Sequence, residues 1–248
     1  MIKLINLKKN FGKGWVTNGV NLTIPKGKMT LIVGRSGAGK SVLLKQLAGL
    51  ILPTEGQILV EEKDITILSD QQLRKKLKKF GYVFQFAALL DSLTIFENIG
   101  ITLLEKGYSR EETLSIVKEK LKEVYLPEKV LYSYPSELSG GMCKRVGLAR
   151  TLITNPEVIL YDEPTTGLDP ITTDAINQLM FKMQKKLGVT SVVVTHDLGL
   201  FKYADNVALL YDGKIQYVGD AKKVWESANP YIYQFMRGLS DGPMQAER

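Results

Sequence analysis

The 248-residue chain is poor in cysteine and histidine, with one residue of each, and it lacks any long apolar run. Cys143 has no second cysteine with which to form an internal disulfide, and nothing else in the sequence suggests a metal cluster. No stretch approaches the roughly 18 uninterrupted apolar residues that span a bilayer, and the opening MIKLINLKKNFGKG alternates instead of forming the apolar core of a signal peptide. We therefore expect a chain of the reducing cytoplasm that neither spans a membrane nor is exported.

Bulk disorder and fibrous repeats are excluded by the composition. Hydrophobic residues make up 44% and charged residues 24% of the chain, both close to the averages for soluble globular proteins. Because domains commonly have roughly 100 to 200 residues, we expect one or two compact units.

Negative charge is scarcer than positive charge, since 33 Lys and Arg residues against 26 Asp and Glu residues give a formal net charge of +7. This balance favours an anionic partner, whether nucleic acid, a membrane surface or a phosphorylated ligand, without choosing among them. The densest basic run is RKKLKK, residues 74–79. Leu73, Leu77 and Phe80 recur there at helical spacing, which predicts the solvated face of a short helix.

Strand and helix patterns alternate along most of the chain. Paired strands are predicted for residues 2–11 and 16–28, a buried strand for MTLIV and a helix for SVLLKQLAGL. Residues 92–123 are helical in pattern, and after residue 156 strands and helices alternate up to a hairpin at Asp212-Gly213. The pattern predicts an α/β fold, a mostly parallel sheet covered by helices and a helical insertion.

The segment GRSGAGKS, residues 34–41, lies where a predicted strand becomes a helix and fits the pattern G-x-x-x-x-G-K-[ST]. Its glycines let backbone N–H groups surround phosphate oxygens at a helix N-terminus, Lys40 reaches the β- and γ-phosphates, and Ser41 supplies a hydroxyl to Mg²⁺. The predicted nucleotide-binding residues are Gly34, Arg35, Ser36, Gly37, Ala38, Gly39, Lys40, Ser41 and Val42.

Two acids end the apolar stretch EVILYDEP, residues 157–164. A carboxylate at the carboxyl edge of the sheet, where the glycine loop also lies, can hold the water shell of a metal ion, which predicts this role for Asp162. Glu163 is the candidate to orient or deprotonate an attacking water.

The stretch LSGGM precedes a further predicted helix. Ser139 is a good N-cap, and Gly140 and Gly141 allow close approach of another group, so this is a second helix N-terminus suited to an anion. The single histidine, His196, follows the valine run of SVVVTHDLG. A lone imidazole is more often a packed, hydrogen-bonded residue than a chemical group, and its own neighbours do not decide between the two.

The ordered set GRSGAGKS, Gln85, LSGGM, ILYDEP, TGLDP and the histidine resembles the ATP-binding-cassette (ABC) ATPases over nearly the whole length. The resemblance implies a P-loop NTPase (RecA-like) core with an antiparallel β subdomain and an inserted α-helical subdomain. Residues 1–85 and 156–226 would form the core and the β subdomain, residues 86–155 the helical subdomain with the signature motif, and residues 227–248 a C-terminal tail.

The resemblance also assigns roles. ATP and Mg²⁺ are the implied cofactors, with Ser41, Gln85 and Asp162 at the metal and Glu163, His196 and Gln85 in catalysis. Ser139, Gly140 and Gly141 would complete the ATP site of a second copy in a head-to-tail dimer.

Three of these roles have structural alternatives. Gln85, the Q-loop residue, would by itself be read as a surface glutamine. Asp169, at the D-loop position, is also a plain helix N-cap before Pro170. Phe11, at the adenine-stacking position, is a residue type that strands usually bury.

Met142 in LSGGM and the ending NPYIYQFMRGLSDGP resemble the ATPases of Mla/Mce-type phospholipid transporters. This implies a peripheral protein on the cytoplasmic face of the inner membrane, beneath permease subunits, with a Mce-domain lipid-binding protein and in some systems a small STAS-domain protein as partners. The terminal helix would contact the neighbouring subunit or pack on its own domain. An importer ATPase for amino acids or another small solute is the alternative. A non-transport ATPase acting on nucleic acid is remote, because the chain has no room for long coiled coils or a second cassette, so we expect no nucleic-acid partner.

Overall fold

The computed structural model describes residues 1–245, which form two β-sheets and the helices that cover them. The strands of this part of the chain are β1 (Ile2–Asn10), β2 (Trp15–Ile24), β3 (Met29–Val33), β4 (Glu55–Val60), β5 (Lys63–Asp64), β6 (Phe80–Val83), β7 (Val158–Asp162), β8 (Thr190–Val194), β9 (Asn206–Tyr211) and β10 (Lys214–Asp220). The α-helices are α1 (Lys40–Leu47), α2 (Asp70–Lys76), α3 (Ile95–Glu105), α4 (Arg110–Glu123), α5 (Gly140–Leu152), α6 (Pro170–Leu187) and α7 (Pro230–Arg237).

The larger sheet has six strands in the order β10-β9-β3-β8-β7-β6, and all neighbours are parallel except the β9–β10 hairpin. Every residue of β3, β7 and β8 is buried, because helices pack on both faces of the sheet. The parallel register places the carboxyl ends of β3, β7 and β8 at one edge. The predicted α/β fold with a mostly parallel sheet is confirmed.

The smaller sheet is antiparallel, in the order β2-β1-β4-β5. Its inward face, which includes Leu4, Leu22 and Ile58, joins one hydrophobic cluster with α1 and with one face of the larger sheet. Helix α1 is therefore packed between the two sheets. The loop that precedes it continues from β3 and lies against β2.

Helices α3, α4 and α5 form the predicted helical insertion. Capping boxes begin the first two of them, with Thr94 and Glu97 at α3 and Ser109 and Glu112 at α4. Their apolar faces join the second hydrophobic cluster, which reaches the other face of the larger sheet.

The basic run departs from the predicted helix at its end. Helix α2 stops at Lys76 and a 3₁₀ turn covers Leu77–Lys79, while Phe80 opens β6 and pairs with Val158. The sheet pairing of Phe80 overrides its helical spacing with Leu73. The exposure of Arg74, Lys75, Lys78 and Lys79 agrees with the predicted solvated face.

The C-terminal helix α7 packs on its own domain, with Ile232 and Met236 buried in the same cluster as β7. The Gln234 amide donates to the Met244 carbonyl at 2.9 Å and accepts from the Met244 N–H at 2.8 Å, which ties the following segment to the helix. Residues 246–248 of the predicted tail lie outside the described part of the chain. No helix within residues 1–245 is long and apolar enough to cross a bilayer.

Candidate functional site

The glycine loop connects the end of β3 to the start of α1, as predicted. Gly34 has φ +152°, and a Cβ there would lie 2.2 Å from the Leu210 carbonyl oxygen. Gly39 has φ +91°, and a Cβ there would lie 2.9 Å from the Val16 oxygen. Both positions require glycine, since neighbouring backbone leaves no room for a side chain.

Lys40 lies folded over this loop. Its Nζ donates to the carbonyls of Gly34 at 2.9 Å and Arg35 at 2.8 Å, and lies 3.9 Å from Glu163 Oε1. Burial lowers the pKa of Lys40, and the negative charges of Glu163 and Asp162 oppose this shift. The Lys40 ammonium is therefore already positioned at the loop. It can exchange its two carbonyl acceptors for the oxygens of an incoming anion.

Asp162 ends β7 next to the first turn of α1. It is buried and accepts from Ser41 Oγ at 2.7 Å and from the Tyr82 hydroxyl at 2.9 Å. Burial and the charge of Asp162 raise the pKa of Tyr82, which therefore stays a donor. The hydroxyl and carboxylate predicted to share a metal ion are thus adjacent. Tyr82 was not identified from the sequence. It lies in strand β6, where successive side chains point to opposite faces of the sheet.

Glu163 follows Asp162 with φ +48°, a left-handed conformation that a non-glycine residue adopts at a cost of roughly 1 kcal/mol or more. Its Oε2 lies 2.7 Å from Nδ1 of His196 and accepts from Thr166 Oγ1 at 3.2 Å. The His196 side chain is 65% exposed. His196 is therefore not a packed core residue. The pairing of β7 with β8 places its imidazole beside the Glu163 carboxylate.

These groups line one cavity of about 540 Å³. Its lining combines the loop with the ends of β6, β7 and β8: Val16, Ser36, Gly37, Ala38, Gly39, Lys40, Ser41, Val42, Gln85, Glu163, Thr166 and His196. Val16 and Thr166 were missed from the sequence, although Thr166 lies inside the TTGLDP stretch that drew attention to Asp169. Arg35 points elsewhere and donates to the Gln245 carbonyl of the C-terminal segment.

Residues 17–166 match the family model described as ABC transporter. The chain is also 36% identical to the intermembrane phospholipid transport system ATP-binding protein MlaF of Haemophilus influenzae, over 99% of this chain and 93% of that protein.

The chain belongs to the ABC transporter family.

Further relatives include the methionine import ATP-binding protein MetN of Clostridioides difficile, 40% identical over 91% of this chain and 70% of that protein. An ATP-binding cassette solved as a dimer in a post-hydrolysis state with ADP and Pi has a TM-score of 0.82 at 36% identity, over 89% of this chain and 99% of that chain. A cassette of Clostridium perfringens, part of the transporter complex cbiONQ, has a TM-score of 0.83 at 31% identity, over 92% and 91%.

The predicted family, nucleotide-binding fold and activity are confirmed. The chain is an ABC transporter ATPase that binds ATP and couples its hydrolysis to transport. The loop at residues 34–41 has the sequence pattern of a P-loop and lies, as a P-loop does, between a strand and a helix.

The segment LSGGM, residues 138–142, which the resemblance to ABC ATPases assigns as the signature motif, does not line the chain's own cavity. Ser139 is exposed and caps α5 by accepting from the Met142 N–H at 3.4 Å. A Cβ on Gly141 would lie 2.6 Å from Thr172 Cγ2, so the segment packs against the start of α6. Asp169 caps that helix, accepting from the N–H groups of Ile171 and Thr172 at 3.0 Å. The N-cap interpretation of Asp169 is correct, and it leaves a D-loop role open.

Phe11 lies in the turn between β1 and β2, and its side chain is 55% exposed. The alternative that strands bury this residue is wrong, since the strand ends one residue earlier. Lys9 Nζ lies 5.0 Å from the ring centroid, so the ring already faces one cation. Adenine stacking by Phe11 stays a prediction.

Helix α5 holds the segment that follows Gln85 in place. The sequence analysis did not predict these contacts. Ala87 and Ala88 have φ +58° and +47°. Their carbonyls accept from the two terminal nitrogens of Arg150, at 2.8 and 2.7 Å, and Lys144 Nζ donates to the Gln85 carbonyl. Lys144 and Arg150 flank Gly147, which packs on Ala87, at spacings of three residues on one helix face. The spacing of Lys144 and Arg150 on one helix face was the sequence signal from which these contacts could have been inferred.

Replacing Arg150 by lysine should lower kcat by about tenfold with little change in ATP affinity. Lysine lacks the planar fork that places one nitrogen on each carbonyl, so we expect Ala87 and Ala88 to leave their left-handed conformation and Gln85 to lose its position. Steady-state ATPase assays and equilibrium nucleotide binding separate the two effects. Arg145→Lys, on the same helix, is the control and should leave kcat near wild type. Equal kcat in both variants would show that the Arg150 contacts do not position Gln85.

Proposed function

We propose that two copies of this chain close head to tail around ATP. In each site Lys40, Ser41 and Asp162 of one copy would bind the nucleotide with Ser139 and Gly141 of the other. The exposure of Ser139 and its absence from the lining of the chain's own cavity support this arrangement, because an exposed helix N-terminus is suited to an anion brought by a partner. The dimeric cassette with ADP and Pi supports it by similarity.

Magnesium fits the residues present. Ser41 Oγ donates to the Asp162 carboxylate at 2.7 Å at the carboxyl end of β7, and oxygen ligands suit this hard cation. Residues 1–245 contain no cluster of three His, Cys, Asp or Glu that could hold a metal alone. This agrees with an ion that is retained mainly by substrate phosphates, as Mg²⁺ commonly is. When bound, the ion neutralises phosphate charge.

In hydrolysis, Glu163 would accept a proton from the attacking water, and His196 would donate a hydrogen bond to the γ-phosphate. Gln85 would contact the metal ion and the water. The observation that carries this proposal is the contact of 2.7 Å between Glu163 and His196, beside Lys40 and the P-loop. A carboxylate and an imidazole so paired can orient one water and one phosphate oxygen together.

The transported substrate that we propose is a phospholipid moved between membranes of the cell envelope. The similarity to MlaF over nearly the full length of both chains supports this assignment. The chain would lie on the cytoplasmic face of the inner membrane beneath permease subunits, with a Mce-domain protein and in some systems a STAS-domain protein. The subdomain boundaries at residues 85, 155 and 226 belong to the same proposal.

A methionine-type importer is the second candidate, since MetN is similar to this chain at a higher identity over a shorter span. Both candidates use the same ATP site. They differ in the membrane complex that the cassette would drive.

Purification of a tagged copy from native membranes distinguishes the two candidates, with an untagged chain as control. We expect a permease and a Mce-domain protein to co-purify, and phospholipid to raise the ATPase rate of the complex. A soluble amino-acid-binding protein in the complex, with stimulation by its ligand and none by phospholipid, would reject the lipid assignment while retaining the ATPase.

A further inference from the structure

Six lysines surround a cleft on the side of the sheet opposite the nucleotide site. The cleft has a volume of about 850 Å³, and its wall includes the amino ends of β6, β7 and β8. Small-molecule sites commonly range from roughly 300 to 1,000 Å³. The lysines are Lys26, Lys63, Lys75, Lys76, Lys78 and Lys79.

The positive charge of this lysine cleft is only partly neutralised. Glu61 binds Lys76 at 2.8 Å and lies 4.0 Å from Lys26, so one carboxylate serves two cations. Glu157 pairs with Lys79. Three other lysines have no ion pair or side-chain hydrogen bond within residues 1–245: Lys63, Lys75 and Lys78. The cleft therefore keeps a net positive charge after its internal pairs are formed.

A solvated helix face accounts for only part of this arrangement, because Lys26 and Lys63 lie outside the basic run. The lysines come from separate parts of the chain: the turn after β2, the strand β5, helix α2 and the 3₁₀ turn that follows it. Folding brings these like charges toward one concave surface, where Glu61 and Glu157 offset only part of their repulsion and an added anion would be attracted. Part of the lining is apolar: Ile2 and Val158 are buried, and Phe80 packs against the same hydrophobic cluster.

We propose that the lysine cleft binds a small molecule that carries two or more phosphate groups. Ammonium groups act as point charges on flexible stems and suit phosphate oxygens in several geometries. The cleft is open to solvent, but its concave shape and its volume of about 850 Å³ favour a small molecule over a flat membrane surface or a duplex.

This site is separate from the P-loop. Strand β7 runs from Val158 at the cleft to Asp162 at the nucleotide site, a length of about 13 Å at about 3.3 Å per residue. One bound nucleotide cannot have its phosphates in both places, because the sheet lies between them.

Titration calorimetry with inorganic tripolyphosphate tests the proposal, in a Lys40→Ala background that weakens phosphate binding at the P-loop. We expect one equivalent to bind, and the double variant Lys75→Glu/Lys78→Glu to weaken it by about tenfold or more. Lys222→Glu/Lys223→Glu makes the same charge change at exposed lysines outside the cleft and should change the affinity by less than about twofold. Thermal unfolding checks that both variants fold.

A parallel titration with GTP distinguishes the source of the phosphates. Tighter binding of GTP than of tripolyphosphate indicates a nucleotide whose base uses the apolar part of the lining, and equal binding indicates recognition of phosphates alone. The proposal fails if tripolyphosphate does not bind, if both double variants weaken it equally, or if a hexaglutamate peptide or a short DNA duplex displaces it at lower concentration.

Discussion

Replacing Glu163 by glutamine should lower ATP turnover by about 100-fold or more while ATP still binds. The amide keeps the shape of the side chain and can occupy the same left-handed position, but it cannot accept a proton from water. It also removes the negative charge that lies 3.9 Å from Lys40 Nζ and 2.7 Å from His196 Nδ1. With binding intact and hydrolysis blocked, the closed dimer should accumulate with ATP, which size-exclusion chromatography and single-turnover assays measure.

The same strand offers a matched control for this variant. Glu157 precedes β7, is exposed and pairs with Lys79 at the far end from the nucleotide. Glu157→Gln should leave turnover and oligomeric state unchanged, because it alters only a surface ion pair. Normal turnover in Glu163→Gln would reject Glu163 as the proton acceptor, whereas loss of nucleotide binding would indicate that its charge mainly positions Lys40.

His196→Ala should lower kcat by about 100-fold with the fold and nucleotide binding retained. The side chain is 65% exposed and packs little, so its removal costs little stability. What is lost is the imidazole beside Glu163, and with it a donor toward the γ-phosphate and one constraint on the carboxylate. Steady-state kinetics, a nucleotide titration and a thermal melt on the same preparation separate these effects.

His196→Gln provides the conservative comparison, since the amide retains a hydrogen-bond donor but lacks the imidazole ring. We expect it to recover part of the lost rate. The double variant with Glu163→Gln should be little slower than Glu163→Gln alone, because residues that act as a unit are not additive. A variant that mainly unfolds would show that His196 is a structural residue.

Several elements could be predicted because their signals are local. The hairpin turn at Asp212 and Gly213, both with positive φ, follows from the preference of this dipeptide for such turns. The helix start at Pro170 follows from the cap at Asp169. Phe80 was read by periodicity and lies instead in a strand, because its pairing partner Val158 is distant in sequence.

The site was predictable to the extent that its motifs are contiguous. The glycine loop and the two acids at the end of β7 were found from their own spacing, and the cavity lining brings the loop together with Glu163. The contacts of Tyr82 with Asp162 and of Arg150 with the Ala88 carbonyl were not found, because the sequence of one segment does not specify which side chain of another segment will lie against it.

By itself, the sequence determined the family, the order of strands and helices, and the residue types that bind phosphate. Tertiary structure alone decided that Ser41 meets Asp162 across 121 positions of the chain, that His196 meets Glu163, and that lysines from four segments share one cleft. The physical reason is the parallel sheet. It places strand ends that are far apart in the chain side by side at each edge, so the chemistry at either edge exists only after the strands have paired.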